Sequence, residues 1–188
     1  MLSLKHAQIQ PHTNSTTQTQ CRILFSLSLL RALQMGGTVI SGASGAVFVV
    51  KNLEPWYASL KKPTWSPPNN IFAPVWTTLY ALIGYSCART LGPALGAAPP
   101  AALKAFALQQ VLNLAWAPTF FGAHRLRLGF FVSTALLGSA VWMAAEFGKV
   151  AGAFSVALLL PYVAWLLFAT ALNLRLWQFN GATGPKSA

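Results

Sequence analysis

Apolar runs free of charge alternate along this chain with short polar or proline-rich breaks. The runs cover residues 71–88, 105–123, 128–145 and 151–174, each close to the ~20 residues a helix needs to cross a bilayer. Residues 32–50 are also uncharged, although Gly and Ser weaken their hydropathy signal. Within them Gly37, Ser41 and Gly45 recur at every fourth position, a spacing of small residues that lets helix backbones approach closely inside a membrane. The pattern predicts an all-α integral membrane protein. It is expected to be a bundle of five transmembrane helices, at 32–50, 71–91, 101–121, 126–145 and 151–177.

The breaks between runs set the organisation. Short connections at 124–127 and 146–150 make successive helices antiparallel neighbours, so a single membrane domain spanning 32–177 is expected. The exception is 51–70, where Pro63, Pro67 and Pro68 remove backbone donors and bias Lys62 and Ser66 away from helix. This segment reads as a stiff aromatic cover. Pro74 follows near the start of the second helix, where a missing N–H costs little and a fixed φ favours helix entry. Residues 1–31 read as a polar disordered tail with a pre-helix segment, lacking the apolar core of a secretory signal. Met35 offers an alternative start, and 178–188 reads as a flexible tail.

Composition sharpens the class. The chain has 188 residues, 55% of them hydrophobic, with only two acids against thirteen Lys and Arg, for a net charge of +11. Too little polar surface is available to cover a water-soluble globule. The cations stand singly between uncharged runs, so anionic lipid headgroups are a better counter-charge than nucleic acid. They divide almost evenly between the two faces, which leaves orientation open. Cys21 and Cys87 lack metal-ligand spacing and read as packing thiols.

Conventional acid–base chemistry has little to work with. There is no Asp, and His6, His12 and His124 lie in the tail or a short loop, so a hydrolytic triad is not expected. No phosphate-binding or dinucleotide fingerprint is present. What remains is aromatic and amide. Phe72, Trp76, Tyr80 and Ile83 share one face of the second helix, and Gln109, Gln110, Asn113 and Trp116 form a stripe on the third. Trp165, Phe168, Ala169, Leu172 and Asn173 share a face of the fifth. Amides at that depth must point inward, where they either bond neighbouring helices or line a cavity for a flat hydrophobic ligand. Trp56, Trp65 and Trp177, near helix ends, read as an interfacial aromatic belt.

Four stretches carry a resemblance: WYASLKKPTWSPP (56–68), APVWTTLY (73–80), LNLAWAPTFFGA (112–123) and PYVAWLLFATALN (161–173). In this order and at this spacing they closely resemble the translocator protein family, also called tryptophan-rich sensory proteins or peripheral benzodiazepine receptors. The similarity runs from about residue 36 to 177. It implies a five-helix bundle, often dimeric, binding porphyrins, haem, sterols and benzodiazepine-type ligands in a pocket closed by the loop after the first helix. No obligatory cofactor or metal is implied. Trp76 and Trp165 match the pocket tryptophans implicated in oxidative porphyrin breakdown by bacterial members, and would be catalytic here only if that chemistry is retained. Tyr80, Asn113, Trp116, Ala169 and Leu172 fall at or near ligand-contact positions. Animal members are placed in the mitochondrial outer membrane and linked to cholesterol, plant members in secretory membranes and linked to haem scavenging under stress. The mitochondrial outer membrane is the expected location, with endoplasmic reticulum or secretory and plastid membranes as alternatives.

The chain departs from the animal pattern in its last helix, where Leu174, Arg175 and Gln178 stand in the region in which the cholesterol motif requires a Tyr and then an Arg. A sterol-motif fit at Leu82–Arg89 is of a kind common by chance. The loop between the third and fourth helices is about two residues longer, and Phe130 stands near a tryptophan of animal members. The functional expectation is a membrane receptor or scavenger of porphyrins, with sterols as a further ligand class. The alternatives are a transporter of sterol or tetrapyrrole and a light- and oxygen-dependent porphyrin-degrading enzyme. Transport commonly relies on internal repeats or broken helices. Pro118 and Pro161 allow bending only.

Overall fold

The computed structural model describes residues 48, 49, 56–91 and 99–184. The tail at 1–31 and nearly all of the first expected span fall outside them. Phe48 and Val49 are helical. Four α-helices follow: α1 (Phe72–Leu91), α2 (Pro100–Ala117), α3 (Leu126–Ala151) and α4 (Ala153–Asn180). They correspond to the second to fifth expected spans.

Local chemistry explains where each begins and ends. Pro67 and Pro68 hold the chain extended, and a 3-10 turn at Asn69–Ile71 then winds it into α1. Thr77 and Thr78 bond back to the carbonyls of Ala73 and Pro74, keeping hydroxyls satisfied on an exposed face. Pro100 opens α2 at a first-turn position. Pro118 cannot continue the α-helical ladder, and α2 widens there into a π turn, Pro118–Gly122, closed by the Ala123 N–H donating to Pro118 at 2.8 Å. Pro161 lies within α4, which continues through it.

The connection expected at 146–150 is instead helical. Glu146 and Lys149 pair at 2.7 Å one turn apart, so these charges complete the end of α3. The chain reverses at Gly152, whose φ of 77° and ψ of −176° suit only glycine. Just before it, a Cβ on Gly148 would lie 2.8 Å from the Val156 methyl, so this reversal brings α3 and α4 unusually close. α4 packs most extensively on α3, α3 also packs on α2, and α1 leans on α4 far more than on its sequence neighbour α2.

Among the described residues three segments are long and apolar enough to cross a membrane: Asn69–Leu91, Leu126–Ala151 and Ala153–Asn180. α2 falls short because Lys104, Gln109, Gln110 and Asn113 interrupt it. The polarity of the bundle is inverted relative to a soluble protein. Ser86, Thr90, Gln109, Ser155 and Asn173 are buried, whereas Val111, Leu160 and Leu167 are exposed, as expected when the outer face meets lipid and polar groups must find partners inside. Ser86 reaches across to the carbonyl of Ser155 at 3.0 Å. Cys87 is a free, buried thiol in the apolar core.

The core divides into two clusters. One fills the bundle with Ile83 and Leu91 of α1, Ala105 of α2, Met143 and Phe147 of α3 and Tyr162 of α4. The other gathers Trp56, Tyr57 and Leu60 of the cover against Phe120, Leu126 and Leu176. Trp56 therefore does not belong to an interfacial belt. It is 1% exposed, meets Phe120 edge-on at 5.6 Å and stacks on His124 at 4.2 Å. Being near a helix end in sequence misplaced it, because the cover folds back over the bundle. Trp65 is 45% exposed, and Trp177 is half-buried against Phe130 and Phe131.

Candidate functional site

α1 and α4 bring Trp76 and Trp165 together with ring centroids 6.5 Å apart and planes at 90°. Each indole has further ring neighbours. Tyr80, one helical turn along α1, stacks on Trp76 at 5.4 Å, and Tyr162 meets Trp76 edge-on at 6.4 Å. Phe72 and Phe168 flank Trp165 at 5.9 and 5.2 Å. The spacing in each helix explains the assembly, since positions three and four apart share a face.

α2 supplies the polar wall. The Tyr80 hydroxyl and the Asn113 side-chain amide lie within hydrogen-bond distance, at 3.3 and 3.5 Å to the two amide atoms. One turn away, Gln109 Nε2 donates to the Tyr162 hydroxyl at 2.7 Å, both side chains being fully buried. The Gln109 carbonyl oxygen and the Trp165 indole N–H are buried without a partner among the described residues. Unpaired polar atoms at such depth are costly. The site thus presents aromatic faces together with the unused indole donor of Trp165.

The expected ligand contacts separate into two adjoining groups. Trp76, Tyr80 and Trp165 pack on the bundle core, with Asn113 joined through Tyr80. Trp116 and Leu172 belong to the cluster beneath the cover, where Trp116 stacks on Phe120 at 5.2 Å. Phe72 and Phe168 bridge the groups, packing on the cover cluster while touching Trp165. Ala169 is half-buried, and its carbonyl accepts from Asn173 Nδ2 at 2.7 Å. Sequence reasoning missed Tyr162. Its place in PYVAWLLFATALN, three residues before Trp165, was a usable signal.

It also missed the clamp on the cover. Asn180, the last residue of α4, accepts from the Lys61 N–H at 2.8 Å and donates to the Lys61 carbonyl at 2.9 Å. This two-point pairing imitates one rung of a sheet and fixes the backbone of the cover. Farther along, Trp65 lies edge-on to Phe168 at 5.6 Å, so the cover reaches the aromatic site. Lys62 Nζ sits 4.4 Å from the Tyr57 ring centroid, a favourable place for a cation. Burial pushes the Tyr57 hydroxyl above its ordinary pKa. Beyond α4, Ala182 accepts from the Arg127 N–H at 3.2 Å. Among the described residues no three His, Cys, Asp or Glu side chains converge as metal ligands would.

Residues 34–178 match the TspO/MBR family. The chain belongs to the TspO/MBR family. Relatives include Protein CrtK of Rhodobacter capsulatus, 39% identical over 146 residues that cover 77% of this chain and 89% of that protein. The Translocator protein of Ovis aries is 42% identical over 128 residues, 66% of this chain and 75% of the sheep protein. The Tryptophan-rich protein TspO of Chlorobaculum tepidum is 34% identical over 153 residues, 81% and 96% of the two chains. TspO/MBR membership and the three membrane-length helices together make this an integral membrane protein. The matched range of the TspO/MBR family takes in all but the first two residues of the first expected span and both tryptophans of the site.

Proposed function

We propose that this protein is a membrane receptor or scavenger that binds a porphyrin, protoporphyrin or haem, within the helix bundle. The observation that carries the reading is the perpendicular Trp76–Trp165 pair, ringed by aromatic side chains and containing a buried indole N–H without an acceptor. Perpendicular indoles give a flat ring one partner to stack on and another to meet edge-on, and both geometries are favourable. The free donor suits an acceptor on the ligand. Sterols are a weaker fit, because Leu174 is half-buried and Gln178 accepts from Arg175 at 3.1 Å, where the animal motif has its Tyr and Arg. Photo-oxidative degradation would use the same two indoles, and transport would need a second, differently open state.

Titration of the full chain in nanodiscs with protoporphyrin, haem and cholesterol, read by tryptophan fluorescence, tests the reading. Saturable quenching by the tetrapyrroles at concentrations well below those needed for cholesterol is expected. Equal affinity for cholesterol would overturn the preference, and no tetrapyrrole binding would overturn the function. The membrane proposed from the resemblance is the mitochondrial outer membrane, and organelle fractionation separates it from the secretory and plastid alternatives.

A further inference from the structure

The outer wall where α3 begins and α4 ends carries a cation set against aromatic rings, apart from the Trp76–Trp165 site. Arg127, in the first turn of α3, is exposed, and its guanidinium carbon lies 6.0 Å from the Trp177 ring centroid, a favourable place for a positive charge. Phe130 and Phe131 follow one turn along α3, with ring centroids 5.6 and 6.0 Å from that of the same indole. Phe131 is 50% exposed and Leu128 45%, so an open apolar face continues from the cation along the helix. The backbone beneath the cation is held, because the Arg127 N–H donates to the Ala182 carbonyl at 3.2 Å.

No carboxylate among the described residues balances this charge. Arg125 and Arg175 are also exposed at this pole. Glu146, the one acid among the described residues, pairs with Lys149, ~28 Å from Arg127 by the rise of α3. Arg127 also stands at the end of a membrane-length helix, the depth at which lipid phosphates lie. A guanidinium can grip a phosphate through two parallel N–H bonds.

We infer that this wall holds one anionic phospholipid of the surrounding bilayer, its phosphate on Arg127 and an acyl chain laid over Phe131 and Trp177. The headgroup is anionic because Arg125 and Arg175 repel the ammonium of a zwitterionic lipid. The occupant is a lipid because the cation runs directly into exposed rings, which a soluble phosphate would leave uncovered. Arg127 differs from an ordinary interfacial arginine in its tied backbone and its place over an indole, so less freedom is lost when the phosphate arrives. The site lies outside the bundle and does not depend on the ring-binding reading.

Native mass spectrometry of the full chain, released from nanodiscs holding equal amounts of phosphatidylglycerol and phosphatidylcholine with the same acyl chains, tests this. One retained phosphatidylglycerol per protomer is expected, favoured about tenfold over phosphatidylcholine, equivalent to ~1.4 kcal/mol. Arg127→Gln, which keeps the backbone bond to Ala182, should abolish the preference. Lys104→Gln removes an exposed charge near the start of α2 and should leave the preference intact. Should the glutamine variant fail to fold, Arg127→Lys keeps the charge without the paired N–H bonds and should retain the lipid more weakly than wild type. Added glycerol phosphate, a headgroup without chains, should not displace the lipid. Equal retention of the two lipids, or the same preference in wild type and both Arg127 variants, overturns the site. Equal losses in Arg127→Gln and Lys104→Gln would reduce it to general charge attraction, and displacement by glycerol phosphate would make it a site for a free anion. A change in protomer number in Arg127→Gln with lipid retention unaltered would make the wall a contact between copies. Each of these three results also defeats the proposal.

Discussion

Trp76 and Trp165 meet edge to face, and a phenyl ring at either position keeps most of the apolar surface while losing the indole N–H and its easier oxidation. Trp76→Phe and Trp165→Phe should therefore each leave porphyrin affinity within about tenfold, ~1.4 kcal/mol, and sharply slow any light-driven loss of the porphyrin. Unchanged photodegradation in the double variant would remove both indoles from that chemistry. The buried Gln109–Tyr162 bond makes a different prediction. Gln109→Leu strands the Tyr162 hydroxyl, which should cost about 1–3 kcal/mol of stability. Adding Tyr162→Phe should recover much of it, as a double-mutant cycle in thermal melts would show. Both tryptophans were readable in the sequence because each lies on a periodic face of its own helix, Trp76 on α1 and Trp165 on α4. The Gln109–Tyr162 pairing was not, since periodicity gives faces but not which faces meet across a bundle.

At the scale of the element, uncharged length located α1, α3 and α4 well, and missed mainly where charge and break part company. Glu146 and Lys149 looked like a loop because charges usually end a membrane span. In fact they pair along the helix, and the break is carried by Gly152 alone. Gly152→Ala should destabilise the α3–α4 hairpin by about 1–3 kcal/mol, measured by thermal unfolding in detergent. Gly138, helical and with open space around its Cβ position, supplies the control, and alanine there should be neutral or slightly stabilising. The π turn after α2 was half visible. Pro118 announced an interruption, but a proline alone does not say whether a helix kinks, ends or widens.

Across the whole molecule, the cover, the α2–α3 turn and the end of α4 gather at one pole. Trp56 on His124 and Asn180 on Lys61 make this pole a connected structure. Cysteines introduced at Lys61 and His124 should accordingly react with a membrane-impermeant reagent from the same side, and labelling from opposite sides would refute the arrangement. Composition and charge-free runs made the membrane class legible, and the quoted motifs made the family legible. The burial of Trp56 was hidden because it depends on a contact with His124, far away along the chain. The clamp was hidden for the same reason, since nothing in a lone Asn beyond the last apolar run marks it as a partner for a lysine backbone.

That clamp joins residues 119 positions apart, which gives the protein an order of assembly. The ribosome releases the cover early, when only the first expected span and α1 flank it. Its fastener comes with the closing turn of α4, so the segment waits unfastened while the intervening helices enter the bilayer. A chain ended just before Asn180 would keep all four helices and still leave its cover unfastened. A fastened cover is in this sense a property acquired only as the last turn of α4 is made.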